Sequence, residues 1–199
     1  YYSSNLSEMI IGDGWDWFIN FEFYGIGCLS FNRIPVDDEG VDKVLLKLYL
    51  DYMFGNSIID PGAYPIFNMP YGTVRPSLLI QQLFMGSDFN PDLNSLESGL
   101  QVTIDADSIR DGWNEFDITE IIKDDLLRER DIHQLRFKFQ ITQDHDNLSD
   151  LLNFVLNGDQ TGYSPYLIYT YENSNHSNEN IIERDLINLS NYPNPFNPR

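Results

Sequence analysis

The sequence predicts an all-β fold, an antiparallel two-sheet β-sandwich of the jelly-roll type with one short helix near 118–129. Three observations carry this. Apolar residues recur with a period of two along several segments, Gly, Pro, Asn and Asp clusters separate those segments, and only one segment shows helical spacing.

In "WDWFINFEF", Trp15, Trp17, Ile19, Phe21 and Phe23 alternate with Asp16, Phe18, Asn20 and Glu22, which reads as one strand with one apolar face. "CLSFNRI" is a shorter strand. In "KVLLKLYLDY" the residues Val44, Leu46, Leu48, Leu50 and Tyr52 share a face, so Leu45, Lys47 and Tyr49 fall on the other. "SLLIQQLF" and "GLQVTID" follow as strands. "HQLRFKFQIT" aligns Leu135, Phe137, Phe139 and Ile141, and "LLNFVLN" and "PYLIYTYE" close the series. Trp17, Phe21, Leu46, Leu48, Phe137 and Phe139 are therefore expected in the core. The exception is "FDITEIIKDDLLRER": Asp117 stands three residues before Glu120, as in a capping box, and Ile118, Ile121, Ile122 and Leu126 recur at helical intervals.

At 199 residues the chain is long enough for one well-packed domain. It divides into a sandwich over 1–172 and a polar, Asn- and Pro-rich linker and tail over 173–199. With 12 Lys+Arg against 31 Asp+Glu, a formal charge of −19, it repels phosphates and anionic headgroups, so neither nucleic acid nor membrane insertion is expected. No apolar run is long enough to span a bilayer, and any signal peptide is expected to be gone. Cys28 is the single cysteine and reads as a small buried thiol.

Candidate chemistry is sparse. Asp144, Asp146, Asn147 and Asp150 in "QDHDNLSD" offer oxygen ligands of the kind that suit a structural Ca²⁺, without the Gly and Glu of an EF-hand loop; no other cofactor is implied. The acidic clusters Asp37, Asp38, Glu39 and Asp13, Asp16 are less specific. His133, His145 and His176 match no zinc or catalytic-triad spacing, and paired carboxylates carry no information in so acidic a chain, so the chain is read as no enzyme. The aromatic content, 12 Tyr, 13 Phe and 3 Trp, exceeds what a core of this size needs, and exposed rings can stack on sugars or on a partner. "DYMFG", "GAYPIFNMPYG" and the "YTY" of the last strand are the segments expected to be exposed, whereas Trp15, Trp17 and Trp113 are expected to pack between the sheets.

"DGWNEFDITEIIKDD", then "LRFKFQI", "TQDHDNLSD", "LLNFVLN" and "GYSPYLIYTYE", resembles the second half of the DNRLRE-type modules, secreted sandwich domains related to carbohydrate-binding modules. Trp113, Asp117, Ile118, Thr119, Pro165, Leu167 and Tyr169 fall in that family's order. "CLSFNRIPVDDEGVDKVLLKLYL" is similar to its first half. The closing "NYPNPFNP" is similar to the opening of the C-terminal sorting domain that directs cargo through type IX secretion, and the strands that follow it in that family are not in this chain. These resemblances imply a secreted or cell-surface protein.

Ordering a polar tail costs on the order of 1–2 kcal/mol per residue. Ile181, Ile182, Leu186, Ile187, Leu189, Tyr192 and Phe196 are therefore its expected anchors, against another copy of the chain. The first functional expectation is a non-catalytic secreted structural protein, a surface or extracellular-fibre subunit that assembles through its sheet edges and tail. The alternative is a carbohydrate-binding module of a larger polysaccharide-active protein, with an extracellular glycan as partner.

Overall fold

The computed structural model describes residues 8–16, 21–33, 40–54, 77–84, 98–105, 108–140, 150–156, 162–171 and 181–183. In chain order the elements are β1 (Glu8–Asp16), β2 (Phe21–Gly25), β3 (Gly27–Asn32), β4 (Val41–Phe54), β5 (Leu78–Leu83), β6 (Ser98–Ile104), β7 (Gly112–Asp117), α1 (Thr119–Leu127), β8 (Ile132–Phe139), β9 (Asp150–Val155), β10 (Tyr166–Tyr171) and β11 (Ile181–Glu183). Among the described residues every pairing is antiparallel, in one sheet of seven strands and one of four, so the two-sheet sandwich is observed.

The 14-residue β4 organises the larger sheet. Its alternation is strict: Val44, Leu46, Leu48 and Leu50 are fully buried, while Leu45, Lys47 and Tyr49 between them are only half-buried. Leu46 pairs with both Leu167 of β10 and Phe116 of β7, and Tyr49 pairs with both Val155 of β9 and Trp113 of β7. A residue paired twice uses both its edges, so β7 holds one edge of β4 while β9 and β10 lie end to end along the other. Beyond them, β1 and β2 continue from β9, and β11 continues from β10.

The smaller sheet runs β3-β8-β5-β6. Its inner row, Leu29, Phe31, Leu78, Ile80, Leu135, Phe137 and Phe139, meets the inner row of the larger sheet in a single core that also takes in Ile118, Ile121, Ile122 and Leu126 of α1. Leu46, Leu48, Phe137 and Phe139 are buried as expected; Trp17 and the side chain of Phe21 lie outside the described residues.

Three local expectations are corrected. "WDWFINFEF" is two strands of a hairpin, since β1 ends at Asp16, which pairs with Phe21, and the register sets Trp15 opposite Glu22. Its alternation is compatible with either one strand or two, and the chain reversal breaks the row. "GWNEFD", assigned to no strand from the sequence, is strand β7, with Asn114 and Phe116 turned inward. The capping box does not form. Ile118 occupies the N-cap position, and Asp117, one residue earlier, accepts hydrogen bonds from the backbone N–H (3.1 Å) and the hydroxyl (2.5 Å) of Thr119. The helix stops two residues short of the expected 129 because Glu129 adopts φ 55°, and the N–H groups of Glu129 and Arg130 then close on the carbonyls of Leu126 and Asp125 as a Schellman motif.

Candidate functional site

The feature that the core does not account for is an aromatic cluster on the outer face of the larger sheet. Outward parity along β4 and β7 sets Tyr49 opposite Trp113, and the rings meet edge to face with centroids 5.5 Å apart. β9 ends at Val155, beside Tyr49, and β10 starts at Tyr166, beside Lys47. The chain therefore leaves the edge of β4 beside Tyr49 and regains it beside Lys47. That excursion carries Tyr163, whose ring lies parallel to Tyr49 at 3.9 Å, and Trp113 adds edge contacts to Tyr163 (6.2 Å) and Tyr166 (5.3 Å).

Such pairs hold one another in fixed orientations, each contributing about 0.5–1.5 kcal/mol beyond the area they bury. They do so at the surface. Trp113 is 38% exposed, and Tyr49, Tyr163 and Tyr166 are half-buried. The rim is polar. Asp51 and Asp111 are exposed, and Lys47 is paired with Glu115. Partial desolvation, the neighbouring Tyr163 and the charges of Asp51 and Asp111 together push the Tyr49 phenol up, so it stays a neutral donor well above physiological pH. A rigid set of aromatic faces with hydroxyl and carboxylate groups at its margin matches the needs of a pyranose ring, whose C–H face packs on π-systems while its hydroxyls find hydrogen-bond partners.

A second polar cluster is enclosed. Asp125 is fully buried on α1 and accepts from Gln82 Nε2 at 2.7 Å and Arg130 Nη1 at 2.7 Å, with His133 Nδ1 at 3.0 Å from its other oxygen. Gln82 also donates to Asp124 (2.8 Å), and its carbonyl accepts the Leu100 N–H at 3.0 Å. Gly99 makes that approach feasible, because a Cβ there would collide with the Gln82 amide and the Phe84 ring. Arg128 and Arg130 lie over Phe84 at 5.5 and 4.8 Å. The cluster ties α1 to β5, β6 and β8. Asp125 and His133 at its centre are both at zero exposure.

The expected site residues are scattered. Asp144, Asp146 and Asn147 lie outside the described residues, as does the side chain of Asp150 at the start of β9; among the described residues no three His, Cys, Asp or Glu gather to hold a metal ion. Ile181 and Ile182 lie in β11, which pairs with β10 of the same chain, opposite Tyr169 and Ile168. Leu186, Ile187, Leu189, Tyr192 and Phe196 lie outside the described residues. A cleft of about 450 Å³ opens between β4, β6 and α1, lined by Asp42, Lys43, Val102, Asp117, Thr119 and Glu120. Cys28 is buried, and desolvation pushes its thiol up to about 12 against the opposing pull of the Arg136 guanidinium, which favours the neutral thiol.

Two expectations about aromatic residues are overturned. Trp113 does not pack between the sheets, because β7 turns Asn114 and Phe116 inward and Trp113 outward. In the "YTY" of β10, Tyr169 is fully buried and Tyr171 packs against the core. The side chains of Tyr52, Met53 and Phe54 and the whole of 62–72 lie outside the described residues. The alternation of β4 was the signal for Tyr49. For Tyr163 and Trp113 the signal is spatial, since it depends on which strands flank β4.

Among the described residues no helix is long and apolar enough to cross a membrane. No family model matches the chain and no curated protein matches it, so the function is argued from these residues.

Proposed function

We propose that this chain is a non-catalytic, secreted glycan-binding β-sandwich whose binding face is the outer surface of the larger sheet around Tyr49, Trp113, Tyr163 and Tyr166. The observation that supports this reading is the ordered aromatic cluster itself. Three tyrosines and a tryptophan from three strands and a loop converge on a solvent-facing surface, in contact with one another and outside the buried core cluster. Secretion rests on the resemblance of "NYPNPFNP" to a sorting signal. The test is native affinity electrophoresis of the full chain through gels containing dissolved polysaccharides. Retardation by at least one of them, lost in a Trp113→Ala/Tyr163→Ala variant, is the expected result; equal mobility in every gel refutes the proposal.

One observation favours a second reading, the structural subunit that assembles through its edges. The edge of β10 takes a strand from the tail, as β11 pairs Ile181, Ile182 and Glu183 with Tyr169, Ile168 and Leu167. Exchange of that strand between copies would join subunits without a new kind of contact. Electron microscopy of the protein at high concentration distinguishes it: filaments that vanish on truncation after Glu172 support exchange, and monodisperse particles refute it.

A further inference from the structure

We infer that the aromatic site takes an uncharged glycan and excludes uronate and sulfated polymers. This rests on the glycan-binding reading above and adds the substrate class.

The inference comes from the charges at the margin of the site. A polymer carrying carboxylates or sulfates needs cations beside the stacking faces, because each buried anion must be paired. The two lysines on the outer face of β4 are each already set against a carboxylate. Lys47, which pairs with Tyr166 and stands two residues from Tyr49, is committed to Glu115 and its side chain is only 13% exposed. The Arg110 guanidinium keeps its charge while donating to the Ile109 carbonyl at 2.7 Å, and the exposed Asp111 follows it directly in the chain. Lys43, two turnings of the pleat beyond Lys47, faces Asp117 at 4.0 Å.

What the margin does present is acceptors. Asp51 and Asp111 are exposed; Asp51 follows Tyr49 by two residues in β4, and Asp111 directly precedes Gly112, which pairs with Leu50 next to the Tyr49–Trp113 pair. Carboxylates accept hydrogen bonds from sugar hydroxyls and repel other anions. The formal charge of −19 works in the same direction at longer range, lowering the local concentration of any polyanion before contact. Rings, phenol donors and carboxylate acceptors are thus complementary to neutral pyranose units.

The experiment compares the full chain in native gels containing hydroxyethyl cellulose, a β-1,3-glucan or a galactomannan with gels containing alginate or polygalacturonate, at low and at high salt without divalent cations. Retardation by a neutral polymer that survives high salt, with none by either uronate polymer, is expected. Retardation by alginate or polygalacturonate overturns this inference and leaves the glycan-binding reading standing, whereas absence of retardation in all five gels removes both. An Asp51→Lys/Asp111→Lys variant reads the cause directly. It should gain retardation by alginate that fades with salt and lose roughly tenfold or more in affinity for the neutral polymer. If the variant matches the parent in every gel, the two carboxylates do not set the choice and the inference fails.

Discussion

The hydroxyl oxygen of Thr119 accepts the backbone N–H of Val44 at 2.9 Å across 75 positions of sequence, while Ile118 N–H donates to the Val44 carbonyl at 3.1 Å. The β4–β7 ladder ends one residue away, at Leu45 opposite Asp117. Thr119 thus completes with a side chain the bonding that the ladder no longer supplies, at the point where the chain turns from strand into helix. Asp117 orients that side chain by accepting its O–H, which leaves the oxygen's lone pair for Val44. The Asp-Ile-Thr sequence is a strand-to-helix joint.

Thr119→Val keeps the shape and removes both hydrogen bonds, leaving a buried N–H without a partner, so it should cost about 1–3 kcal/mol. Thr119→Ser keeps the oxygen and loses one methyl, worth about 0.8 kcal/mol. Urea unfolding of both variants checks the difference, and equal losses would show that the hydroxyl contributes nothing.

Glu129 holds a left-handed conformation at the end of α1. That geometry costs an L-residue roughly 1–2 kcal/mol, and glycine avoids it at an entropic cost of about 0.5–1 kcal/mol. Glu129→Gly should therefore stabilise by about 0.5–1 kcal/mol and raise Tm by about 1–4 °C. A lower Tm would mean that the Glu129 side chain makes a contact worth more than the strain.

Fold and site differed in how far the sequence disclosed them. The inner row of β4 was readable because burial on one face leaves a period of two, and Val44, Leu46, Leu48 and Leu50 are each fully buried. β7 was missed because it is six residues long and buries only Asn114 and Phe116, too few to establish a period. With β7 missing, no strand parity set the face of Trp113, and it was expected between the sheets. The meeting of Tyr163 with Tyr49 follows from β9 and β10 sharing one edge of β4, a long-range pairing that no local pattern encodes.

The acid limb of stability should report on Asp124. The hydrogen bond from Arg128, with that from the Gln82 amide, holds its carboxyl below the usual carboxylate range. A carboxyl lowered in the folded state contributes fully above its unfolded value, about 3.9, and loses that contribution as pH falls through the lowered value. Asp117 is lowered as well: partial desolvation pulls it up, but the two Thr119 hydrogen bonds and the charges of Lys43 and Lys123 outweigh it. Urea midpoints of the parent should fall below about pH 4. Asp124→Asn should flatten that fall, and an unchanged slope would remove Asp124 as a contributor.

Asp125 is the acceptor that Gln82, Arg130 and His133 share, and among the described residues the His133 Nε2 atom has no hydrogen-bond partner, so Asp125 is the imidazole's polar anchor. Removing one partner from a buried charged cluster costs about 3–5 kcal/mol, and Asp125→Ala should reach that range. Arg130→Ala should cost less, because Asp125 keeps two donors and the Arg130 side chain is itself 17% exposed. Reversed order in chemical denaturation would mean that the Arg130 packing over Phe84 outweighs its charge.

The aromatic cluster and the core should separate in a comparison of two tyrosines flanking the same strand, β4. Tyr169 points into the core at zero exposure, and truncating a buried aromatic residue to alanine costs about 3–5 kcal/mol through lost contacts and the cavity left behind. Tyr163 stands outside, with ring contacts to Tyr49 and Trp113. Two aromatic pairs account for about 1–3 kcal/mol at most, and water fills the space that the ring vacates. Tyr163→Ala should therefore unfold at a urea midpoint nearer the parent than Tyr169→Ala does, with an unchanged denaturant slope showing that the compact state is the same. The order in binding is opposite. Tyr163→Ala removes the face that Tyr49 stacks on and should abolish retardation in a polysaccharide gel, while any Tyr169→Ala protein that remains folded should keep it. If Tyr163→Ala proves as destabilising as Tyr169→Ala, the outer rings are a second core rather than a binding surface, and the glycan reading loses its support.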